Sequence, residues 1–400
     1  MEYFVLASVG LAFLVYSISI RQLEVVEVTG PMFFVLIGML IAFFIPDTSG
    51  DAKYFSADLN KLLPLIELTL SIFLFTDAAK TKLSVLKHSF QYPSLLLFLA
   101  LPLTLFSGIA VASFMFTELT LVQAALIAII LTPTDAALSK GILNSKHVPE
   151  KIREGINTES GLNDGLCVPV FLLLMLLAQE PTTSISISSV AEVFARELGL
   201  AIVIAITAMG VFIPMIKFAM QRHYFSNNTS PFLVIGMVIT IFSIAQSVHS
   251  SGFIAVFVAG LIFDRFTEQG LREKLVEDSE HIADFIGLLI WCLFGFVCSY
   301  IVLPNLNWQV ALFAMLSVTI LRIIPVMLSL QFTKLKIKER FTFAWFGPRG
   351  LASIVFTMMV IDTQIENKFQ VATIAMTTIL LSVFIHGMST KPIADSYSNK

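Results

Sequence analysis

Apolar residues occur in long, uninterrupted runs along the whole chain, separated by short polar segments. Most runs approach the roughly 20 residues that a helix needs to cross a hydrocarbon core about 30 Å thick. They lack the short alternating pattern of a spanning β-barrel, so they predict helices. We predict about thirteen transmembrane helices: Tyr3–Ile20, Pro31–Ile45, Leu62–Ala79, Tyr92–Phe116, Leu119–Ser139, Asn157–Ala178, Val190–Ile216, Phe232–Val248, Gly252–Phe263, Ala283–Val302, Trp308–Gln331, Phe341–Ile361 and Phe369–Gly387.

The polar segments between these runs are too short to fold as separate domains. The longest are Pro46–Lys61, Lys140–Ile156 and Asp264–Ile282, all far below the size of an independent domain. The last of them is rich in charge and predicts an amphipathic cytoplasmic helix. The first apolar run lacks the basic segment and cleavage site of a signal peptide. We therefore predict a single transmembrane unit over residues 1–400 with no soluble domain.

The distribution of Lys and Arg predicts how the chain is oriented. Nineteen of the 25 Lys and Arg residues lie in alternate loops, and the opposite loops hold three. Because basic loops stay in the cytoplasm, the N-terminus should be outside and the C-terminus cytoplasmic. One span more or fewer would destroy this alternation. The three basic residues left over fall inside spans: Arg196, Arg322 and Arg349.

The composition agrees with a polytopic all-α membrane protein. Hydrophobic residues make up 56% of the chain and charged residues 13%, whereas a soluble domain has roughly 25% charged residues. The net charge of −3 gives no electrostatic footprint for nucleic acid. The three cysteines lie in apolar runs and are not at metal-binding spacing, so we predict no disulfide, transition metal or cofactor.

Two of the predicted spans contain strong helix breakers. The fifth reads Thr132-Pro133-Thr134-Asp135 and the twelfth Gly347-Pro-Arg349-Gly350. The breaks lie at matching positions if residues 3–178 and 232–387 are two repeats of opposite topology, joined by a linking span at 190–216. Broken helices at matching positions indicate a transport site near the midplane, where Asp135 and Arg349 could neutralise the exposed half-helix ends. The alternative is a pair of ordinary proline kinks.

The sixth span carries two acidic residues, Glu159 and Asp164. Buried charges are costly in a membrane, so each indicates a function, as does Asp77 in the third span. The two acids are five residues apart and point about 140° away from each other on a helix, so one can pair with Arg322 or Arg349. The other can carry a proton reversibly or bind a hard cation. Alternatively, the flanking glycines form a packing face and both acids pair with arginines.

The motifs together resemble the monovalent cation–proton antiporters, in the branch of the bacterial NhaP proteins and the animal sodium/proton exchangers. The likeness runs along essentially the whole chain, and the order and spacing of its motifs are specific. It rests on Thr134-Asp135, Glu159-Ser-x-x-Asn-Asp164, Ser251-Gly-Phe-x-Ala-x-x-Ala-Gly260, Gly347-x-Arg-Gly350 and Leu381-Ser-x-x-x-His-Gly387.

The resemblance implies a role for each matching residue. Asp164 would bind the cation, Na⁺ or else Li⁺ or K⁺, or the proton, with Asn163 and Thr134 supporting it and Asp135 contributing to the ion site and the crossing. Glu159 would form a structural pair with Arg322. The helix crossing would comprise Thr132, Pro133, Gly347, Arg349 and Gly350, with Asp77 and Ser160 as further candidates.

The resemblance also implies the type of exchange and of assembly. An Asn-Asp pair is the family mark of electroneutral one-to-one exchange. A homodimer is implied, in a bilayer that we take to be a bacterial inner membrane. A core domain that includes 92–178 and 308–387 would move, and transport would proceed by alternating access. Two other functions remain open from the residues: an intramembrane protease using Asp135 and Asp164, and a cation channel.

Overall fold

The protein is all-α over the residues that the structure describes, which are 2–44, 52–80, 91–179, 187–222, 224, 230–267 and 269–398 of a computed structural model. The helices follow one another along the chain with short connections. They are α1 Glu2–Val25, α2 Gly30–Phe44, α3 Ala52–Lys80, α4 Gln91–Leu95, α5 Leu101–Met115, α6 Leu121–Ile130, α7 Lys140–Leu143, α8 Glu150–Gln179, α9 Ile187–Gln221, α10 Ser230–Ser247, α11 Gly252–Phe266, α12 Gln269–Asn305, α13 Trp308–Val318, α14 Ile320–Ser329, α15 Ile337–Trp345, α16 Leu351–Asp362 and α17 Lys368–Asp395.

Each predicted span coincides with one helix or with two or three consecutive segments of helix. Eight of these helices or helical stretches are long and apolar enough to cross a membrane, and four shorter apolar helices lie among them. The all-α, membrane-spanning fold is therefore confirmed, whereas the number of thirteen crossings stays a prediction. The end of the second span at Ile45 and the basic residues Lys82 and Lys87 lie outside the described residues.

Three local features differ from the sequence prediction. The charged segment Asp264–Ile282, predicted as an amphipathic cytoplasmic helix, is helical for the most part but continuous with the following span, because most of it forms the start of α12, a helix of 37 residues. A π-helical segment, Leu96–Ala100, joins α4 to α5 inside the fourth span. The eleventh span is interrupted at Thr319, whose φ and ψ are −111° and −91°. Neither interruption itself contains Gly or Pro, the usual sequence signals for an irregular helix.

The described helices present large apolar side chains on their outer surfaces. Phe43 and Phe114 are each 83% exposed, and Trp308 is 72% exposed. Such a surface would be unstable in water, since monomeric soluble proteins keep their apolar patches small. It fits the lipid environment that the hydropathy pattern predicts.

The chain divides into two compact units, and the division falls within α8 between Ser160 and Gly161. The first unit consists of Met1–Leu63, Gln91–Ser160 and Gly287–Lys400, and the second of Pro64–Phe90 and Gly161–Ile286. The two predicted repeats and the predicted core domain follow other boundaries and stay predictions.

Each unit has its own internal packing. In the first unit, a buried apolar cluster that includes Ile152, Val326 and Phe343 anchors α15, the half-helix before the second break, against the start of α8 and against α14. In the second unit, α11 packs closely on α3. A β-carbon added at Gly260 would lie 2.5 Å from the carbonyl oxygen of Phe75.

Glu339 in the first turn of α15 lies outside the predicted span, and its carboxylate is paired. The Lys151 Nζ atom lies 2.8 Å from its Oε1, and the Lys336 amide donates to its Oε2 over 2.9 Å. Burial raises the pKa of Glu339, but the hydrogen bonds and charges of Lys151 and Lys336 outweigh burial and hold the pKa below 4.5. A carboxylate of this kind stabilises the fold above its unfolded-state pKa, and the contribution is lost as pH falls through the folded value.

We therefore expect Glu339→Gln to lower the thermal midpoint at pH 7 and to have a smaller effect at a second, acidic pH below the folded-state pKa, where the carboxylate of the parent protein is protonated as well. Scanning fluorimetry of the purified protein in detergent at the two pH values measures this difference. An equal loss of stability at both would show that the carboxylate charge has no part in it.

Candidate functional site

The first helix break lies between α6 and the short helical segment at Ala137–Ser139. Pro133 has no N–H to donate, so the helical ladder cannot continue through it. Just before it, the Thr132 hydroxyl donates to the Ala128 carbonyl over 2.7 Å and satisfies a group that the ending helix leaves unpaired. Just after it, the Thr134 carbonyl accepts a hydrogen bond from the Ser160 hydroxyl on α8. The break is thus fixed to the helix that carries the acidic residues.

The second helix break runs from Phe346 to Gly350, between α15 and α16. Its backbone is held from α17, because the Arg349 amide donates to the Ser382 hydroxyl over 2.9 Å. The first turn of α16, which follows the break, is held from α6, where the Ile130 carbonyl accepts from the Ser353 hydroxyl over 2.6 Å. These residues are buried, so the irregular backbone is stabilised inside protein, as it must be at membrane depth.

The two breaks cross, and each supplies the charge that the other needs. The Asp135 amide donates to the Pro348 carbonyl over 2.9 Å, and its Oδ2 accepts from the Leu351 amide at the start of α16 over 3.3 Å. In return, Arg349 Nη1 donates to the Thr132 carbonyl just past the end of α6 over 3.3 Å. A carboxylate at a helix N-terminus and a cation at a C-terminus both oppose the helix dipole. Asp135 and Arg349 are thus reciprocal caps.

Two glycines of the second break, Gly347 and Gly350, leave the space in which the charged side chains of Arg322 and Asp135 lie. A β-carbon at Gly350 would be 2.0 Å from Asp135 Oδ2. A β-carbon at Gly347 would be 1.8 Å from Arg322 Nε. Neither contact is sterically allowed, so any larger residue would displace a charged side chain of the crossing: half-buried Asp135 or buried Arg322. The sequence signal, two glycines flanking Pro-Arg, thus has a steric reason.

Glu159 and Arg322 form a buried ion pair beside the crossing. Arg322 Nη2 lies 2.8 Å from Glu159 Oε1 and 3.1 Å from Oε2. The same nitrogen lies 3.4 Å from the Phe346 carbonyl at the second break. Both side chains are about 5% exposed or less. Arg322 stands in the first turn of α14, directly after the interruption at Thr319.

Asn163 and Asp164 follow on the same helix, in the part of α8 that belongs to the second unit. Asn163 is buried and Asp164 is half-buried. A β-carbon at Gly161 would contact Asp77 at 3.5 Å, so the sequence candidate Asp77 packs one turn before Asp164. Near the end of the same helix as Asp77, Lys80 forms an ion pair with Glu280.

The glycines on either side of Asp164 do pack closely. A β-carbon at Gly165 would lie 2.3 Å from the Phe257 ring, and Gly161 faces Asp77. The packing role considered for them is therefore compatible with a role of Asp164 in ion binding. The pairing with arginine, the other part of that alternative, is seen for Glu159.

Several polar residues at the crossing were not among the sequence candidates. Ser353 fixes the end of α6, and the Ser317 carbonyl lies 3.5 Å from Arg349 Nη2. Ser382 and His386 were quoted only as part of a motif. Within the described part of the chain, no three His, Cys, Asp or Glu side chains are grouped so that they could hold a metal ion. A site for an alkali cation would have to use fewer carboxylates together with hydroxyl and carbonyl oxygens.

Comparison with known proteins places this arrangement in a family. A family model described as "Sodium/hydrogen exchanger, transmembrane" matches residues 9–395. The chain is 27% identical over 317 residues to the Na⁺/H⁺ antiporter NhaH of Halobacillus dabanensis, covering 76% of this chain and 77% of that protein. It is 20% identical over 274 residues to the K⁺/H⁺ antiporter NhaP2 of Shewanella sp. strain ANA-3, covering 68% and 47%.

The fold is similar to a solved structure over its full length. The sodium proton antiporter MjNhaP1 of Methanocaldococcus jannaschii, at pH 8, matches with a TM-score of 0.78 and 20% identity, covering 100% of both chains. At that identity the likeness supports the fold, and the family model supports the assignment. The chain therefore belongs to the family of transmembrane sodium/hydrogen exchangers.

Proposed function

We propose that this protein exchanges one alkali cation, Na⁺ or else Li⁺ or K⁺, for one proton, and that both compete for Asp164. Family membership gives the antiport; the stoichiometry and the residue are the proposal. The observation that supports it is the buried pair of Glu159 with Arg322, at 2.8 Å and 3.1 Å. Since that pair occupies one of the two carboxylates that the sixth span carries, Asp164 is the acid of this span best suited to change its charge.

The position of Asp164 on α8 supports this role. Five residues of helix turn it about 140° away from Glu159 and hence away from the side that meets the guanidinium. It is half-buried, so that water can supply a proton or a cation while the surroundings remain less polar than bulk water. A carboxylate oxygen suits a small hard cation, and the Asn163 side-chain oxygen and the Thr134 hydroxyl are ligands of the same kind.

The crossing is proposed to support the helix that carries the ion site. Asp135 and Arg349 cap the half-helices, Thr132 and Pro133 end the first of them, and Ser160 joins the Thr134 carbonyl to α8. In this assignment Asp135 acts through the crossing, and direct contact between its carboxylate and the cation stays a prediction. Asp77, packed on Gly161, is a further candidate for the path by which ions reach Asp164.

The assembly and location belong to the same proposal. We take the protein to be a homodimer in a bacterial inner membrane, with its N-terminus outside and its C-terminus in the cytoplasm, as the Lys and Arg pattern predicts. Residues 92–178 and 308–387 would belong to the moving core domain. The choice of ion is left to experiment, since one relative is named for Na⁺ and another for K⁺. Neither comparison supports a protease or a channel.

Competition at one carboxylate makes a quantitative prediction. Where Asp164 is largely protonated, each unit of acidification should raise the half-saturating cation concentration about tenfold, because the ligand must lose its proton before the cation binds. At alkaline pH the half-saturating concentration should become constant. Purified protein in liposomes with a trapped pH-sensitive dye measures this, with Na⁺, Li⁺ and K⁺ tested in parallel over the pH range. A half-saturating concentration that does not change with pH would refute a shared site.

A further inference from the structure

His386 is a buried histidine that contacts the second helix break from α17. Its side chain is 1% exposed. The Nε2 atom lies 2.8 Å from the Trp345 carbonyl, which belongs to the last residue of α15. The Nδ1 atom lies 3.1 Å from the Ser382 hydroxyl and 2.9 Å from the Ser382 carbonyl. The ring therefore lies between the end of one half-helix and a serine of its own helix.

Ser382 extends this contact to the other side of the break. Its hydroxyl oxygen accepts the amide hydrogen of Arg349 over 2.9 Å. Arg349 is the residue whose guanidinium lies on the Thr132 carbonyl of the first break. Ser382 and His386, one turn apart on α17, thus hold both sides of the break. They hold Trp345, the last residue of α15, and Arg349, two positions before the start of α16. The irregular segment between Trp345 and Leu351 is linked to α17 near both ends.

The hydrogen-bond chemistry selects one form of the imidazole. If the ring is neutral with its proton on Nε2, Nε2 donates to Trp345 and Nδ1 accepts from the Ser382 hydroxyl. The Ser382 oxygen then still accepts from Arg349, so the amide, the hydroxyl, the ring and the carbonyl form one directed chain. The other neutral tautomer places two acceptors, Nε2 and the Trp345 carbonyl, against each other. With the proton on Nε2, the Nδ1 atom also faces the Ser382 carbonyl at 2.9 Å, so each tautomer leaves one pair of acceptors in contact. The first tautomer makes two hydrogen bonds, to the Trp345 carbonyl and from the Ser382 hydroxyl, whereas the second makes one, to the Ser382 carbonyl, so the first is favoured.

We propose that His386 is a positioning residue for ion exchange, which acts by fixing the backbone of the second break through Trp345 and Ser382. It makes no contact with the cation in this proposal. Its effect passes through Arg349 to the Thr132 carbonyl and so to the first break, where Thr134 lies. The inference rests on the proposed function in one respect, that the crossing supports the cation site.

A pair of amide substitutions separates positioning from mere space-filling. The amide of Gln in His386→Gln can reach the place of Nε2 and donate to Trp345, whereas the shorter Asn in His386→Asn reaches only the place of Nδ1. We expect His386→Asn to raise the half-saturating Na⁺ concentration about tenfold, in the range seen when a residue supporting a ligand group is lost. His386→Gln should stay within about threefold of the parent protein.

A second pair on the same helix keeps the test decisive if the histidine variants fold poorly. Ser382→Ala removes the acceptor of the Arg349 amide. Thr378→Ala, one turn earlier, removes an equally buried hydroxyl that bonds the Ile374 carbonyl of its own helix. Ser382→Ala should behave like His386→Asn, and Thr378→Ala like the parent protein. All four variants are measured in liposomes for half-saturation and maximal rate, with thermal midpoints in detergent to separate loss of fold.

The outcomes are distinct from those that test Asp164. If His386→Asn keeps the parent half-saturating concentration, or if His386→Gln is as defective as His386→Asn, the positioning role is wrong. The same follows if Ser382→Ala and Thr378→Ala are alike. None of these results bears on whether Asp164 carries the ion. Conversely, exchange that survives in Asp164→Asn overturns the proposed function. The hydrogen bonds that link Arg349 to Trp345 through Ser382 and His386 are still tested by their own variants.

Discussion

Asp164→Asn should abolish cation-driven proton movement. The amide has nearly the shape of the carboxylate, but it neither releases a proton nor balances the charge of a cation. We expect the exchange rate to fall about 100-fold or more, which corresponds to about 2.7 kcal/mol at 1.36 kcal/mol per factor of ten. The measurement is alkalinisation of liposomes driven by a Na⁺ gradient, with the parent protein and empty liposomes in parallel.

Two controls give this result its meaning. Asp164→Glu keeps the titrating group on a longer side chain, so it should retain measurable exchange with a changed half-saturating concentration. Leu162→Ala, on the same turn of helix and half-buried, tests whether any local change stops transport. Thermal midpoints of all variants show that the protein is folded. Exchange in Asp164→Asn at the parent rate would mean that another group carries the ion.

Breaking the pair between Glu159 and Arg322 should mainly destabilise the fold. Glu159→Gln leaves a buried guanidinium without its counter-charge, which costs about 3–5 kcal/mol in comparable buried pairs. The double variant that carries both Glu159→Gln and Arg322→Met should lose much less stability, because no uncompensated charge remains. Unfolding of the purified protein by denaturant, followed by tryptophan fluorescence, compares the single and double variants.

A more exposed pair in the same protein is the matched control. Lys80 and Glu280 have side chains 44% and 23% exposed. Glu280→Gln should change the free energy of unfolding by no more than about 1 kcal/mol, as is usual for surface pairs. The folded fraction of the double variant at Glu159 and Arg322 should still exchange ions. A double variant that folds well and is inactive would give Glu159 or Arg322 a direct part in transport.

The sequence was sufficient to predict what local chemistry determines. Long apolar runs predicted the helices, and Pro133 and the Gly-Pro-Arg-Gly segment predicted where two of them break. The five-residue spacing of Glu159 and Asp164 predicted that they face different surroundings. These predictions depend on helix geometry and on the missing N–H of proline, which act within a few residues. They required no knowledge of distant contacts.

The features that escaped prediction depend on residues far apart in the chain. The interruption at Thr319 contains neither Gly nor Pro, and Arg322 lies in the turn that follows it, where it meets Glu159, 163 residues earlier. Ser160 is an ordinary helix residue in sequence, and the bond of its hydroxyl to Thr134 arises only when two helices meet. Such serines give no periodic signal, and a hydroxyl near any carbonyl of its own helix could be satisfied locally.

The reciprocal capping of the two breaks has an electrical consequence. Asp135 and Arg349 carry opposite charges at the crossing, and Glu159 and Arg322 do the same beside it, so these four charges cancel in pairs. Moving one uncompensated elementary charge through a membrane potential of 100 mV involves about 2.3 kcal/mol. A crossing without net charge can shift its depth without that work. The direction of exchange depends on the net charge carried per cycle, which is zero if one cation is exchanged for one proton, as proposed. With that stoichiometry, we expect the voltage across the membrane to leave the direction of exchange unchanged, so that a depolarised cell could still use the protein to move its salt.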